Sequence, residues 1–278
     1  MLNSHKKYIP QPFRNAAREI LYTPSFYYAK KTLSMYLKGQ DHAVCTLPIM
    51  DNYKEYESLF NSAEENFKEI VTPFISEFRW LIGRIYNGTF ESVDVEVYYS
   101  IIRKYQPKLI IEIGSGHSTC FALDAIKRNK RGSIISITLE PRRKLPKSVK
   151  CIQSKVEEVD TDIFEQLSEN DILFIDSSHT TEEAIYHTKE ILPILNSGVI
   201  IHHHDILYPY NVYYKNDPKM FAEPDVILNF YLVNKDTYKI ITSTSYVLYM
   251  NLEFVKGLVR SFNWNLKRRP GSLWVMKR

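Results

Sequence analysis

Lys108-Leu-Ile-Ile-Glu-Ile-Gly-Ser-Gly-His-Ser-Thr119 is the stretch on which the fold turns. A short apolar run, Leu109 to Ile113, carries one acid, Glu112, and breaks into Gly114-Ser115-Gly116. Ser118 and Thr119 follow, then the helix-like Cys120 to Ile126. The pattern is a buried strand, a tight glycine turn and a helix start. Glycine suits such a turn because it reaches positive φ and lets a ligand approach the backbone closely. A nucleotide-like ligand is expected there.

Further strand-like runs extend the pattern. Ser133 to Leu139 reads as a second strand ending at Glu140-Pro141, and Val149 to Ile152 as a third. Asp171 to Asp176 is a fourth, followed by Ser177-Ser178-His179; Ser197 to Ile201 opens a fifth that runs into His202-His203-His204-Asp205. Helical stretches lie between them, the clearest at Thr181 to Leu195. Alternating strand and helix units imply a parallel sheet with its ligand crevice beyond the carboxyl ends of the strands. Glu112, Glu140, Asp176 and Asp205 fall at or near those ends. Glu140 comes 26 residues after Gly114, where an acid is placed to bond vicinal ribose hydroxyls. A short helix is expected from Asp225 to Val233. Tyr238 to Thr242 and Tyr246 to Met250 are available for the next strand, and Ser272 to Met276 for the last. Late strands without a helical crossover can pair antiparallel.

Two ligands compete for the glycine turn. The dinucleotide fingerprint Gly-x-Gly-x-x-Gly places Thr119 where its third glycine belongs. Residues 93–278 instead resemble the class I S-adenosylmethionine-dependent methyltransferases, which carry an acid two residues before the first glycine, as at Glu112. Ser118 stands where many members have a third glycine. The resemblance is greatest to a branch whose fifth strand ends in His-x-His-Asp-Ile followed by Tyr/Phe-Pro, as His202 to Pro209 does here. It implies an α/β fold: a seven-stranded, mostly parallel Rossmann-like methyltransferase sheet with a closing antiparallel hairpin, plus a helical N-terminal cap over residues 1–92. It further implies S-adenosylmethionine as cofactor and a small-molecule or glycan hydroxyl as methyl acceptor. Glu112, Gly114, Ser115, Gly116, Ser118, Glu140 and Asp176 are the expected cofactor contacts. The Asn/Asp-Pro-Pro-Tyr/Phe segment common among amino-group nucleic-acid methyltransferases is replaced by Asp176-Ser177-Ser178-His179, which argues against base methylation.

Methyl transfer is an in-line displacement, so the protein chiefly positions the acceptor and removes its proton. Histidine suits proton removal because its ordinary pKa lies near neutrality. Alternate side chains of a strand share a face, so His202 and His204 point together and His203 points away. His204 is the first candidate base and His179 the second, with Asp205 beside them. A divalent cation on Asp176 and Asp205, as in cation-dependent O-methyltransferases, is less favoured: Ile206 occupies the usual next ligand position, and magnesium does not favour imidazole. A non-haem iron oxygenase could use His203 and Asp205, but no histidine follows His204 and the α/β pattern is wrong for that class. A catalytically inactive S-adenosylmethionine-binding protein would keep the same residues.

The 278 residues are 44% apolar, enough for a substantial core. No apolar run approaches the ~20 residues of a membrane span and no signal-type core opens the chain, so a cytoplasmic location is expected. Cys45, Cys120 and Cys151 are unpatterned, and Cys120 and Cys151 fall on core elements, so buried free thiols are expected. Asn52 to Tyr86 reads as one or two amphipathic helices. The first forty residues hold seven Lys or Arg against Glu19, interleaved with aromatics. With a net charge of only +4, a helical lid or a homo-oligomer contact is favoured there over nucleic acid. Tyr208, Tyr210, Tyr213 and Tyr214 are placed beside the crevice.

Overall fold

Ile110, Ile111 and Ile113 are all buried, so both faces of β1 (Leu109–Ile113) are covered, as its unbroken apolar run demands. The computed structural model describes residues 49–210, 223–262 and 269–278. The other strands are β2 (Ser133–Ile137), β3 (Val149–Ile152), β4 (Ile172–Ile175), β5 (Ile200–His203), β6 (Tyr238–Ser243) and β7 (Leu273–Lys277). They form one sheet in the order β3-β2-β1-β4-β5-β7-β6. The five strands from β3 to β5 are parallel. β7 runs antiparallel between β5 and β6. The expected fold class, a Rossmann-like methyltransferase sheet with an antiparallel closure, is the one observed.

Seven α-helices of six or more residues lie among the described residues. α1 (Ala63–Val71) packs on β6 and on α2 (Asp94–Tyr105), and α2 packs along α3 (His117–Asn129). α4 (Thr181–Tyr186) continues through a wide π turn, His187–Ile191, into Leu192–Ile194, covering the expected helix. α5 (Glu223–Val233), α6 (Thr244–Met250) and α7 (Leu252–Leu258) follow. The layer before α2 is tied directly to the sheet edge: Asn66 donates to the Ile241 carbonyl (2.8 Å) and Thr242 to that of Ala63 (2.8 Å). Tyr56, Phe60 and Phe67 join the same apolar cluster as the sheet.

Some expectations need correction. Tyr246 to Met250 is helical, because the Ser243 hydroxyl at the end of β6 accepts from the Tyr246 amide (3.3 Å) and caps α6. Asn52 to Tyr86 is a series of short helical turns; its longest α-helical piece, α1, gives way to a 3₁₀ run at Thr72–Trp80 with a proline in its first turn. Cys120 is half-buried and Cys151, on edge strand β3, is exposed; both are free thiols. The basic first forty residues, Cys45, Tyr213 and Tyr214 lie outside the described residues.

Gly114 has φ +94°, and a Cβ there would collide with the Asp176 carbonyl oxygen and stand 2.9 Å from its carbon. Gly116 is extended, with φ 178°, and an added Cβ meets nothing nearer than Arg142 Cβ at 3.9 Å. Gly114→Ala should therefore lower the melting temperature by about 10 °C or more, whereas Gly116→Ala should leave it nearly unchanged. Equal melting curves for the two variants would contradict this account of the turn.

Candidate functional site

The glycine turn holds Glu112 in a fixed pose. The carboxylate is fully buried; one oxygen accepts from the Thr119 hydroxyl (2.6 Å) and the other from the Tyr98 hydroxyl (3.3 Å). Thr119 Oγ1 also accepts from the Gly116 amide (3.2 Å), so it secures the first turn of α3 and the acid together. A glycine at position 119 could do neither. Burial pushes Glu112 up to about 8 despite the hydrogen bonds from Thr119 and Tyr98, and nearby Asp176 adds to the rise. Neither hydroxyl partner is cationic. Beside it, the Ser115 hydroxyl is buried without a hydrogen-bond partner among the described residues, and Ser118 is buried.

A second cluster lies at the ends of β4 and β5. His179 and Asp205 both adopt left-handed backbone, φ +59° and +60°, which folds each side chain back toward the strand ends. His179 Nε2 lies 3.4 Å from Asp176 and 3.5 Å from Asp205. His179 Nδ1 lies 3.2 Å from Glu223 at the start of α5. His204 Nδ1 lies 3.6 Å from both Asp176 and Asp205, and its Nε2 lies 3.6 Å from buried Asp94 at the start of α2. Carboxylates and imidazoles thus alternate from Asp94 to Glu223. Among the described residues, no group of three or more His, Cys, Asp or Glu is arranged to hold a metal ion.

The charges follow from that alternation. Burial alone works against a charged His204, but the Asp205 and Asp176 carboxylates outweigh it and hold it well above an ordinary histidine. His179 is raised likewise: burial opposes its charge, and the hydrogen bonds and charges of Asp176, Glu223 and Asp205 prevail. Burial would raise Asp205, yet His204 brings it down to about 2. Asp176 is held well below its usual range, His204 and His179 prevailing over burial. Both histidines are therefore imidazolium at neutral pH in the resting site.

Alternation along β5 is as expected. His202 and His204 share a face, their ring centres 5.8 Å apart. His203 turns to the other side, 2.7 Å from the Tyr231 hydroxyl of α5. His202 is fully buried, stacked on Phe174 at 3.9 Å and bonded to Ser272 (2.9 Å). Of the expected site residues, the structure gathers Glu112, Gly114, Ser115, Gly116, Ser118, Asp176, His179, His204 and Asp205 at the carboxyl ends of β1, β4 and β5. Glu140 stands beyond the end of β2, exposed.

Three participants escaped sequence reasoning. Asp94 accepts from Thr244 Oγ1 (2.7 Å) and from the amides of Ser272 (3.1 Å) and Gly271 (3.0 Å), and it faces His204. Tyr98 reaches Glu112 from α2, and Glu223 reaches His179 from α5. The signal for Asp94 was an acid leading a mostly apolar stretch; its hydrogen-bond partners lie 150 to 178 residues away in sequence, which no local pattern reveals.

Residues 111–206, from β1 through the end of β5, match the family model of a methyltransferase domain. An uncharacterized protein of Archaeoglobus fulgidus is 36% identical over 92 residues, covering 30% of this chain and 42% of that relative. The chain therefore spans less than half of its length. Among solved structures, the SAH-bound Podospora anserina methyltransferase is similar at TM-score 0.44 and 15% identity, covering 100% of both chains. The SAH complex of a Bacillus cereus O-methyltransferase is similar at TM-score 0.42 and 10% identity, covering 80% of this chain and 100% of that one. Among the described residues, no helix is long and apolar enough to cross a membrane.

The raised Glu112 makes a stability prediction. Its folded pKa of about 8 exceeds the ordinary value of 4.5, so its contribution is full below the unfolded value and is lost as pH rises through the folded one. Glu112→Gln removes this titration. The variant's melting temperature should gain progressively on the wild type's from pH 4.5 to about 8, then hold a constant lead. A difference independent of pH would mean that Glu112 ionises in the fold as easily as in water.

Proposed function

We propose that this chain is an S-adenosylmethionine-dependent methyltransferase of the His-x-His-Asp-Ile branch, acting on a hydroxyl of a small molecule or glycan. The observation that carries the reading is Glu112: a buried acid that, among the described residues, has no cationic hydrogen-bond partner and lies beside the unpartnered Ser115 hydroxyl, at the turn that opens the methyltransferase-domain match. This donor set fits a polar, positively charged ligand. When bound, S-adenosylmethionine supplies an electrophilic methyl group on a sulfonium centre.

The chain's own residues divide the remaining tasks. Gly114 and Gly116 leave room along the turn, and Glu112 faces the positive end of the cofactor. Glu140, beyond the end of β2, is assigned to the ribose hydroxyls. His204 is the base for the acceptor hydroxyl, with Asp205 beside it and His179 second. Asp176 is common to both halves of the crevice. It lies near enough to Glu112 to raise it and near enough to His204 to hold its proton. Any positive charge accepted beside Asp176 therefore weakens its hold on that proton, which readies His204 to take another. An inactive S-adenosylmethionine-binding protein is the alternative, and turnover separates the two.

Binding calorimetry should detect S-adenosylmethionine and not NAD; the converse would sink the assignment. Glu140→Ala should weaken cofactor binding by about tenfold to a hundredfold, as expected for a lost charge-assisted hydrogen bond. A change much smaller than that would take Glu140 out of the site.

Release of S-adenosylhomocysteine from a panel of sugar and phenolic acceptors tests the chemistry. Turnover should rise through a limb above neutral pH, because the carboxylates around His204 raise its pKa. His204→Ala should abolish that limb and lower turnover by about 10²–10⁴-fold while leaving cofactor affinity nearly intact. Activity should survive chelation. Loss on chelation with recovery in magnesium or manganese would instead place a cation on Asp176 and Asp205.

A further inference from the structure

His117, the first residue of α3, directly follows Gly116 and has a different environment from His179 and His204. Its Nδ1 lies 2.9 Å from Thr89 Oγ1, and Thr89 Oγ1 lies 2.9 Å from Asn87 Oδ1. The Asn87 amide can stand only one way round. Its Nδ2 donates to the carbonyls of Arg84 (3.1 Å), Ile85 (3.2 Å) and Phe90 (2.6 Å), while Oδ1 accepts from the amides of Thr89 and Phe90 (3.0 Å each). Oδ1 is therefore an acceptor, and a 2.9 Å approach of the Thr89 hydroxyl requires that hydroxyl to donate.

A threonine hydroxyl has one proton. Once Thr89 gives it to Asn87, Thr89 can only accept at His117, so the ring proton sits on Nδ1. A neutral imidazole with its proton on Nδ1 carries a lone pair on Nε2. Burial, aided by the nearby Arg143 guanidinium, brings His117 down to about 4, so the ring stays neutral where His179 and His204 are charged. Among the described residues, His117 Nε2 has no hydrogen-bond partner. The same loop continues through Phe90, whose ring centre lies 5.2 Å from that of His204. One loop therefore fixes the tautomer of His117 through Thr89 and packs against His204 through Phe90.

We propose that His117 is a cofactor-binding residue whose bare Nε2 accepts a hydrogen bond from the α-ammonium of the ligand's amino-acid end, with Arg143 matched to the α-carboxylate. Asn87 and Thr89 are positioning residues: they set the tautomer and touch no ligand themselves. An unconstrained or charged imidazole here would present an N–H to the ammonium and repel it. A lone pair accepting from a charged donor makes one of the stronger hydrogen bonds available to a side chain. The ligand half of this inference rests on the S-adenosylmethionine reading; the tautomer half rests on the hydrogen-bond chain alone.

Two measurements on the full chain test it. Long-range ¹H–¹⁵N correlation spectra of histidine-labelled protein should show a protonated Nδ1 and a bare Nε2 for His117, and Thr89→Val should abolish that pattern. Calorimetry should then compare S-adenosylhomocysteine with its desamino analogue. The wild type should prefer the amine-bearing ligand by about tenfold or more, and His117→Phe should erase the preference by weakening that ligand alone. Thr89→Val, which keeps the ring, should reduce the preference in the same direction. A proton found on Nε2, or an undiminished preference in His117→Phe, would overturn the proposal. Failure of the wild type to bind either ligand would overturn the methyltransferase reading and the ligand assignment with it, leaving the spectra to decide the tautomer.

Discussion

The close passage of Gly114 over the Asp176 carbonyl is the constraint on which the site depends. The Gly114 amide donates to Ile137 at the end of β2 (2.8 Å), and the Asp176 amide donates to Ile113 at the end of β1 (2.9 Å). Three strand ends are thereby locked at one level. Glu112 and Asp176, from different strands, come within electrostatic reach because only a hydrogen stands on the Gly114 Cα. The glycine turn and the histidine cluster meet at this point.

On the histidine half, packing and charge reinforce one another. His204 and His179 are held between carboxylates at ion-pair distances, and breaking up such a buried set leaves charge without compensation. The aromatic stack of Tyr98, Phe174, His202 and Trp274 beneath it keeps water away from one side. Low dielectric strengthens each pairing. The same burial that makes Glu112 hard to ionise makes the imidazolium–carboxylate chain hard to disrupt.

Most of the sheet was legible because its strands are buried on both faces and announce themselves as apolar runs ending in acids. β3 was read to the residue, and β1 together with the glycine turn gave the parallel core. The closing region was read less well: Tyr246 to Met250 has strand-like composition, yet a serine cap starts a helix there. α2 was not anticipated at all, since Val95, Val97, Tyr98, Tyr99, Ile101 and Ile102 favour strands by propensity, and tertiary burial of all six overrides that preference. The candidate site residues on strand ends were visible for the same reason that the strands were. Asp94, Tyr98 and Glu223 come from helices far off in sequence, and only the assembled fold brings them to their partners. His117 was in plain view in the glycine segment, but its significance depends on Thr89 and Asn87.

The position of β7 has a consequence for how the molecule is assembled. This strand comes after β6 in the chain but lies inside it in the sheet, so the edges of β5 and β6 face an open slot until β7 enters. The ladder it completes is between residues distant in sequence, the kind of pairing that forms slowly. Without β7, β5 and β6 would each present an unpaired edge, a template for pairing with another chain. Ser272, just before β7, bonds His202 and the Asp94 carboxylate. The pairing of one strand therefore both covers those edges and brings Ser272 to His202 and Asp94.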